Sequence, residues 1–133
     1  MRKEISVYAI PGLRRYSLII PHLKLNPRNI VDEVCREFEV SPSIVLSKSS
    51  KDEAVIPRSV IYIFASLLNG YTLKRIGQVF GAGKTHSTVS LAIKSAVMQY
   101  DINRGFRNKV DKILDRFDYS PKAFHLHMNR WRK

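Results

Sequence analysis

Tyr71 to Val89 reads YTLKRIGQVFGAGKTHSTV: a short amphipathic helix, a glycine-broken turn and the capped start of a second helix. Leu73, Ile76, Gly77 and Phe80 recur at i, i+3, i+4 and i+7, which gives one apolar stripe, while Lys74, Arg75 and Gln78 face away. Thr72 is placed to cap the first helix. Gly81, Ala82 and Gly83 end it, because glycine tolerates the positive φ that a helix stop requires. The second helix then presents Lys84, Thr85, His86, Ser87 and Thr88, a set rich in hydrogen-bonding groups and free of carboxylates. The pattern is a helix-turn-helix, and such a helix end can enter a DNA major groove.

Working outward, Asn26-Pro27 opens a helix with Asn as N-cap and Pro at the first helical position, where its missing N–H is no loss. Ile30, Val31, Val34, Cys35 and Phe38 line its inner face, and Asp32, Glu33, Arg36 and Glu37 the outer one. Ser41-Pro42 repeats the start signal for a short helix ending near Leu46, and a loop is expected from Ser47 to Ala54. Val55 to Leu68 is apolar almost all round, as expected of a buried central helix, and Asn69-Gly70 stops it. In the second helix of the motif Val89, Ala92, Ile93, Ala96, Val97 and Tyr100 face inward, leaving Ser87, Ser90, Leu91, Lys94 and Ser95 outside. A last helix spans about Arg104 to Phe117.

The ends differ from this body. Ile5–Ile10 and Tyr16–Ile20 are β-prone runs around Pro11-Gly12, so residues 1–25 read as a basic arm or a β-hairpin, serving either packing or DNA contact. Residues 119–133, YSPKAFHLHMNRWRK, are basic and aromatic without a strong period and read as a mobile tail. Residues 26–118 form the domain between them. At 133 residues this is one compact unit.

Twenty-three Lys and Arg against 11 Asp and Glu give a net charge of +12, which favours a polyanionic partner, nucleic acid ahead of membrane. The single cysteine, Cys35, excludes an internal disulfide and fits a reducing cytoplasm, where it is most simply a small core residue. No run approaches the roughly 20 apolar residues of a membrane span, and Glu4, Pro11 and Arg14-Arg15 break any signal-peptide pattern. A cytoplasmic, nucleoid-associated protein is therefore expected.

Other chemistries fare poorly. GAGKT at Gly81–Thr85 suggests a phosphate-binding P-loop, but the first glycine of that motif falls on Gln78 and a helix pattern stands where a strand is needed, so no nucleotide is expected. His22, His86, His125, His127 and Cys35 offer no metal-ligand set at established spacing, although His125-x-His127 can bind a metal weakly. Nothing resembles a nucleophile–base pair or paired catalytic carboxylates, so neither enzymatic activity nor a cofactor is expected.

The run IGQVFGAGKTHSTVSLAI, with IVDEVCREFEVSPSIVLSKS and IPRSVIYIFASLL before it, resembles the C-terminal DNA-binding domain, domain IV, of the bacterial replication initiator DnaA across about residues 26 to 100. The resemblance rests on Ile76-Gly77, Phe80-Gly81, Lys84-Thr85, His86, Ser87-Thr88 and Val89 in order. It implies an all-α fold, a small Trp-repressor-like helical bundle containing a helix-turn-helix, without the nucleotide-driven motor of the full initiator. It also implies base reading by Thr85, His86 and Ser87, with Thr88 beside them, and backbone contacts from Lys84, Arg58 and the Tyr71–Leu73 turn, where Thr72 sits. Lys48, Lys51 and Lys94 complete the cations expected at the backbone.

Three departures stand out: the turn carries one extra residue, Thr85 replaces an acidic base reader, and Ser50 falls where the family's minor-groove Arg is expected, with Lys51 beside it. Sequence preference is therefore expected to differ from the initiator's. Double-stranded DNA is the expected partner, in replication or transcription control in a bacterial or phage setting. A module that has lost DNA reading and holds a protein through its arm or tail is the alternative, and RNA binding through the tail's aromatic and Arg residues ranks behind both.

Overall fold

The computed structural model describes residues 8–9, 18–19, 25–48, 50–80 and 85–132. Among these residues seven helices run in order: α1 Pro27–Phe38, α2 Pro42–Val45, α3 Asp52–Leu67, α4 Leu73–Val79, α5 His86–Ile102, α6 Arg104–Arg116 and α7 Pro121–Met128, followed by a 3₁₀ turn, Asn129–Trp131. In the N-terminal region two short strands, β1 Tyr8–Ala9 and β2 Leu18–Ile19, pair antiparallel, Tyr8 opposite Ile19 and Ala9 opposite Leu18. The body is an all-α bundle built around α3, against which α1, α2, α4, α5 and α7 pack.

The helix boundaries follow their caps. Asn26 accepts from the Arg28 N–H, Ser41 from Ser43, Thr72 from Arg75, Thr85 from Thr88, Asn103 from Phe106 and Ser120 from Ala123. Each satisfies one of the N–H groups that a helix start leaves without an internal partner. Glu39 ends α1 in the left-handed region at φ 56°, and Gly70, at φ 72°, turns the chain between α3 and α4. Asn69 locks that turn to the entry of α1, accepting from the Leu25 N–H at 2.7 Å and donating to its carbonyl at 2.8 Å.

The core is continuous. Ile30, Val34, Val60, Ile61, Phe64, Leu67, Ile76, Val89, Ile93, Ile113 and Leu114 are all fully buried in one cluster. Cys35 belongs to it, and burial, aided by Asp32, pushes its thiol pKa up, so it is an inert packing residue. On the surface Arg116 of α6 clamps α1, reaching Glu33 at 2.7 Å and Glu37 at 3.0 Å.

Two expectations are corrected. The loop expected up to Ala54 is shorter, because α3 begins at Asp52, where Asp52 and Glu53 suit the positive end of the helix dipole and Ala54 is fully buried. The C-terminal tail is not an unperiodic mobile segment. Ser120 caps α7, and Tyr119, Ala123, Phe124 and Met128 enter the core, with Phe124 edge-on to Phe64 at 5.4 Å and to Tyr100 at 6.1 Å. No described helix is long and apolar enough to cross a membrane.

Candidate nucleic-acid interface

α4 and α5 form the helix-turn-helix. Ile76, Gly77 and Phe80 hold α4 to the body, while Val89, Ile93, Ala96, Val97 and Tyr100 hold α5. That leaves Thr85, His86, Ser87 and Thr88 exposed at the start of α5, whose first turn carries no carboxylate. A helix start in this condition has unmatched N–H groups and a positive dipole end, both of which attract an anion.

The four expected base readers are not equivalent. Thr85 is the N-cap: its Oγ1 accepts from the Thr88 N–H at 3.3 Å and lies 3.1 Å from the Thr88 Oγ1. These two hydroxyls are thus partly engaged with each other, and His86 and Ser87 stand between them on the first turn, exposed. Lys94 is exposed on the same helix, seven residues after Ser87 and hence on nearly the same side. Lys84 lies outside the described residues, as does Ser49 in the loop after α2.

The start of α4 gives the second part of the surface. Tyr71 and Leu73 are half-buried and Thr72 is exposed, its hydroxyl accepting from the Arg75 N–H at 3.1 Å. Arg75 lies 4.7 Å over the Tyr71 ring, a cation–π contact that holds its guanidinium against that ring. Sequence reasoning placed Arg75 on an outward face without a role. The missed signal was the i, i+4 spacing of Tyr71 and Arg75, which brings the two together once the turn closes. Trp131 from the C-terminal turn borders the same place, lining a hollow of about 390 Å³ with Ser66, Tyr71, Thr72 and Leu73.

Lys48 and Lys51 are exposed on either side of residue 49, and Lys51 is the N-cap residue of α3. Arg58 is the one described site residue that does not reach the surface, being only 7% exposed. Its Nε donates to the Val45 carbonyl at 2.8 Å and its second guanidinium nitrogen to the Ser47 carbonyl at 2.8 Å. It therefore closes the end of α2 and fixes the loop that carries Lys48 and Lys51.

Among the described residues no three His, Cys, Asp or Glu side chains are grouped to hold a metal. His125 packs beside the Tyr100 ring and its Nδ1 is 3.2 Å from an Arg132 nitrogen, while His127 is half-buried.

Known proteins match the region that contains this site. The family model described as the bacterial dnaA protein helix-turn-helix matches residues 27–96, more than half of the 133. The chromosomal replication initiator protein DnaA of Bacteroides fragilis (strain YCH46) is 32% identical over 85 residues, 64% of this chain and 18% of that protein. The corresponding protein of Campylobacter concisus (strain 13826) is 29% identical over 113 residues, 85% of this chain and 26% of its own length. DnaA 1 of Chlamydia muridarum (strain MoPn / Nigg) is 31% identical over 80 residues, 60% of this chain and 17% of its own length. The matches thus span only about a sixth to a quarter of these relatives. A helix-turn-helix built from α4 and α5, with α4 and the first part of α5 inside a family match of this extent, places the chain in the bacterial DnaA-protein helix-turn-helix family.

Proposed function

We propose that this chain is a double-stranded DNA-binding protein that inserts the first turn of α5 into the major groove and acts in replication or transcription control. The observation that carries the reading is the exposed, carboxylate-free turn Thr85–Thr88 at the head of the second helix of a helix-turn-helix, in a chain of net charge +12. His86 and Ser87 read base edges, with Thr88 beside them and Thr85 shaping the turn. His86 can donate or accept at a base edge, and the hydroxyls can hydrogen-bond or pack against a thymine methyl. Lys84, Lys94, Thr72, Arg75 and the Lys48–Lys51 loop take the phosphates, which fixes register without reading sequence. No chemical step and no nucleotide enters this mechanism.

The test is the salt dependence of duplex binding. With about six phosphates neutralised, affinity falls roughly a thousandfold between about 50 and 200 mM salt. A flat response would remove the reading and favour a protein-binding module.

A further inference from the structure

Beyond its first turn, α5 carries an outward face unlike the rest of the described surface. Leu91, Met98 and Ile102 are 68%, 56% and 71% exposed, whereas the other exposed large apolar side chains among the described residues lie between 37% and 42%. At about 100° per residue, positions 91, 95, 98 and 102 fall within roughly 60° of arc, so the three form one stripe with Ser95 between them. The stripe points away from the core line of Val89, Ile93, Ala96 and Tyr100. Lys94 and Asp101, seven residues apart, share one flank of it, and both are exposed.

We propose that this stripe is the dimer interface of the chain, packed antiparallel against α5 of a second copy about a two-fold axis between Ala96 and Val97. That single centre relates Leu91 to Ile102 and Ser95 to Met98. A long side chain then meets a small one on either side of the axis, and two branched apolar side chains meet at each end, the large-against-small fit that close helix packing requires. The charges agree with the same axis. An antiparallel two-fold keeps each flank on its own side, so Lys94 of one copy comes beside Asp101 of the other, about 3 Å apart along the helix direction. The pair occurs twice. A parallel arrangement would instead carry the two flanks to opposite sides of the seam, leaving Lys94 and Asp101 to face Ala92 and Gln99. Arg132 holds the Asp101 carboxylate from within its own chain at 2.9 Å through two nitrogens, and the Asp101 side chain, 38% exposed, keeps an outer side for the incoming ammonium.

The dimer has a functional consequence, which rests on the DNA reading above. The same axis sets Ile102, the end of α5 in the second copy, opposite Leu91, one turn from Ser87, so the α5–α6 junction of the second copy comes beside the reading turn. Dimer and duplex compete for one face, and a duplex therefore converts dimer to monomer by mass action.

Sedimentation equilibrium of the full chain, without and with a DNA duplex, tests this. The expected result is a concentration-dependent dimer without DNA. Ile102→Glu or Met98→Glu weakens it by more than about tenfold while helical circular dichroism is unchanged. Lys94→Glu weakens it about threefold and Lys94→Arg preserves it. Added duplex yields a one-chain complex. A chain that stays monomeric at every concentration reached, a dimer indifferent to both glutamate variants, or an intact dimer seated on duplex each overturns the proposal. Absence of any duplex binding, with the dimer behaving as expected, strikes the DNA reading and leaves the interface standing.

Discussion

α3 and α5 are nearly equal in length and pack on each other, yet they meet solvent in opposite ways. Every residue of α3 from Pro57 to Leu67 is buried, whereas α5 hides only one face and leaves a polar first turn and an apolar outer stripe in the open. A helix enclosed by protein has its side chains matched to neighbours and contributes to stability alone. A helix held by one face is positioned by its core line, and the other faces are free to vary without unfolding the body. α3 therefore fixes the site and α5 presents it.

The largest test of that division is a pair of truncations. Phe64 of α3 is fully buried, with its ring against Phe117 at 6.3 Å and Phe124 at 5.4 Å. Phe64→Ala is expected to cost about 3–5 kcal/mol in urea unfolding at a concentration where the chain is monomeric, and Leu91→Ala on the outer face of α5 less than about 0.5. Similar losses at the two positions would break the contrast.

Arg58→Ala sharpens it next. The substitution strips the buried Val45 carbonyl and the part-buried Ser47 carbonyl of this donor and is expected to cost about 1–3 kcal/mol of stability. In whatever fraction stays folded, the dependence of duplex affinity on salt remains unchanged, because Arg58 positions the loop. A salt slope lower by about one would instead make it a phosphate contact.

How much of this was legible beforehand depends on the range of the interaction. The starts of α1 and α4 were readable because Asn26 with Pro27 and Thr72 act within one turn of themselves. The inward line of α5 and the span of α6 followed from the 3.6-residue period. α7 was missed although Ser120-Pro121 repeats the signal of Asn26-Pro27, because its apolar residues are few and irregularly spaced between histidines. Their burial depends on α3, α5 and α6 rather than on local pattern. The burial of Arg58 was hidden for the same reason, its partners lying 13 and 11 residues away. At the site, the exposure of His86 and Ser87 was legible, whereas the partial commitment of Thr85 to its cap and the stacking of Arg75 needed the folded turn.

A smaller effect distinguishes α3 through pH. The hydroxyls of Tyr62 in α3 and Tyr119 before α7 are buried without a hydrogen-bond partner among the described residues. Burial pushes the Tyr119 phenol up to about 12, and it raises Tyr62 as well, against a lesser opposing pull from Arg58. An unfolded phenol ionises near 10, so above about pH 10 the unfolded chain releases protons that the folded one retains. Stability is therefore intact below about pH 10 and falls as pH rises through the range up to the folded value, by at most about 1.4 kcal/mol per pH unit for each group. Tyr62→Phe and Tyr119→Phe are expected to change stability at pH 7 by less than about 1 kcal/mol and to flatten the alkaline decline. An equally steep decline in both variants would contradict the cause given.

The central claim, that the first turn of α5 reads bases, is tested most directly by selecting bound sequences from random duplexes with the unaltered chain and with His86→Ala. The unaltered chain should return a defined site. His86→Ala should lose about 1–3 kcal/mol on that site and relax preference at one or two base pairs. Val89→Ala, which opens the core behind the same helix, should lower stability and leave the preference of the folded fraction intact. A folded His86→Ala variant with unchanged affinity and unchanged preference would contradict the account.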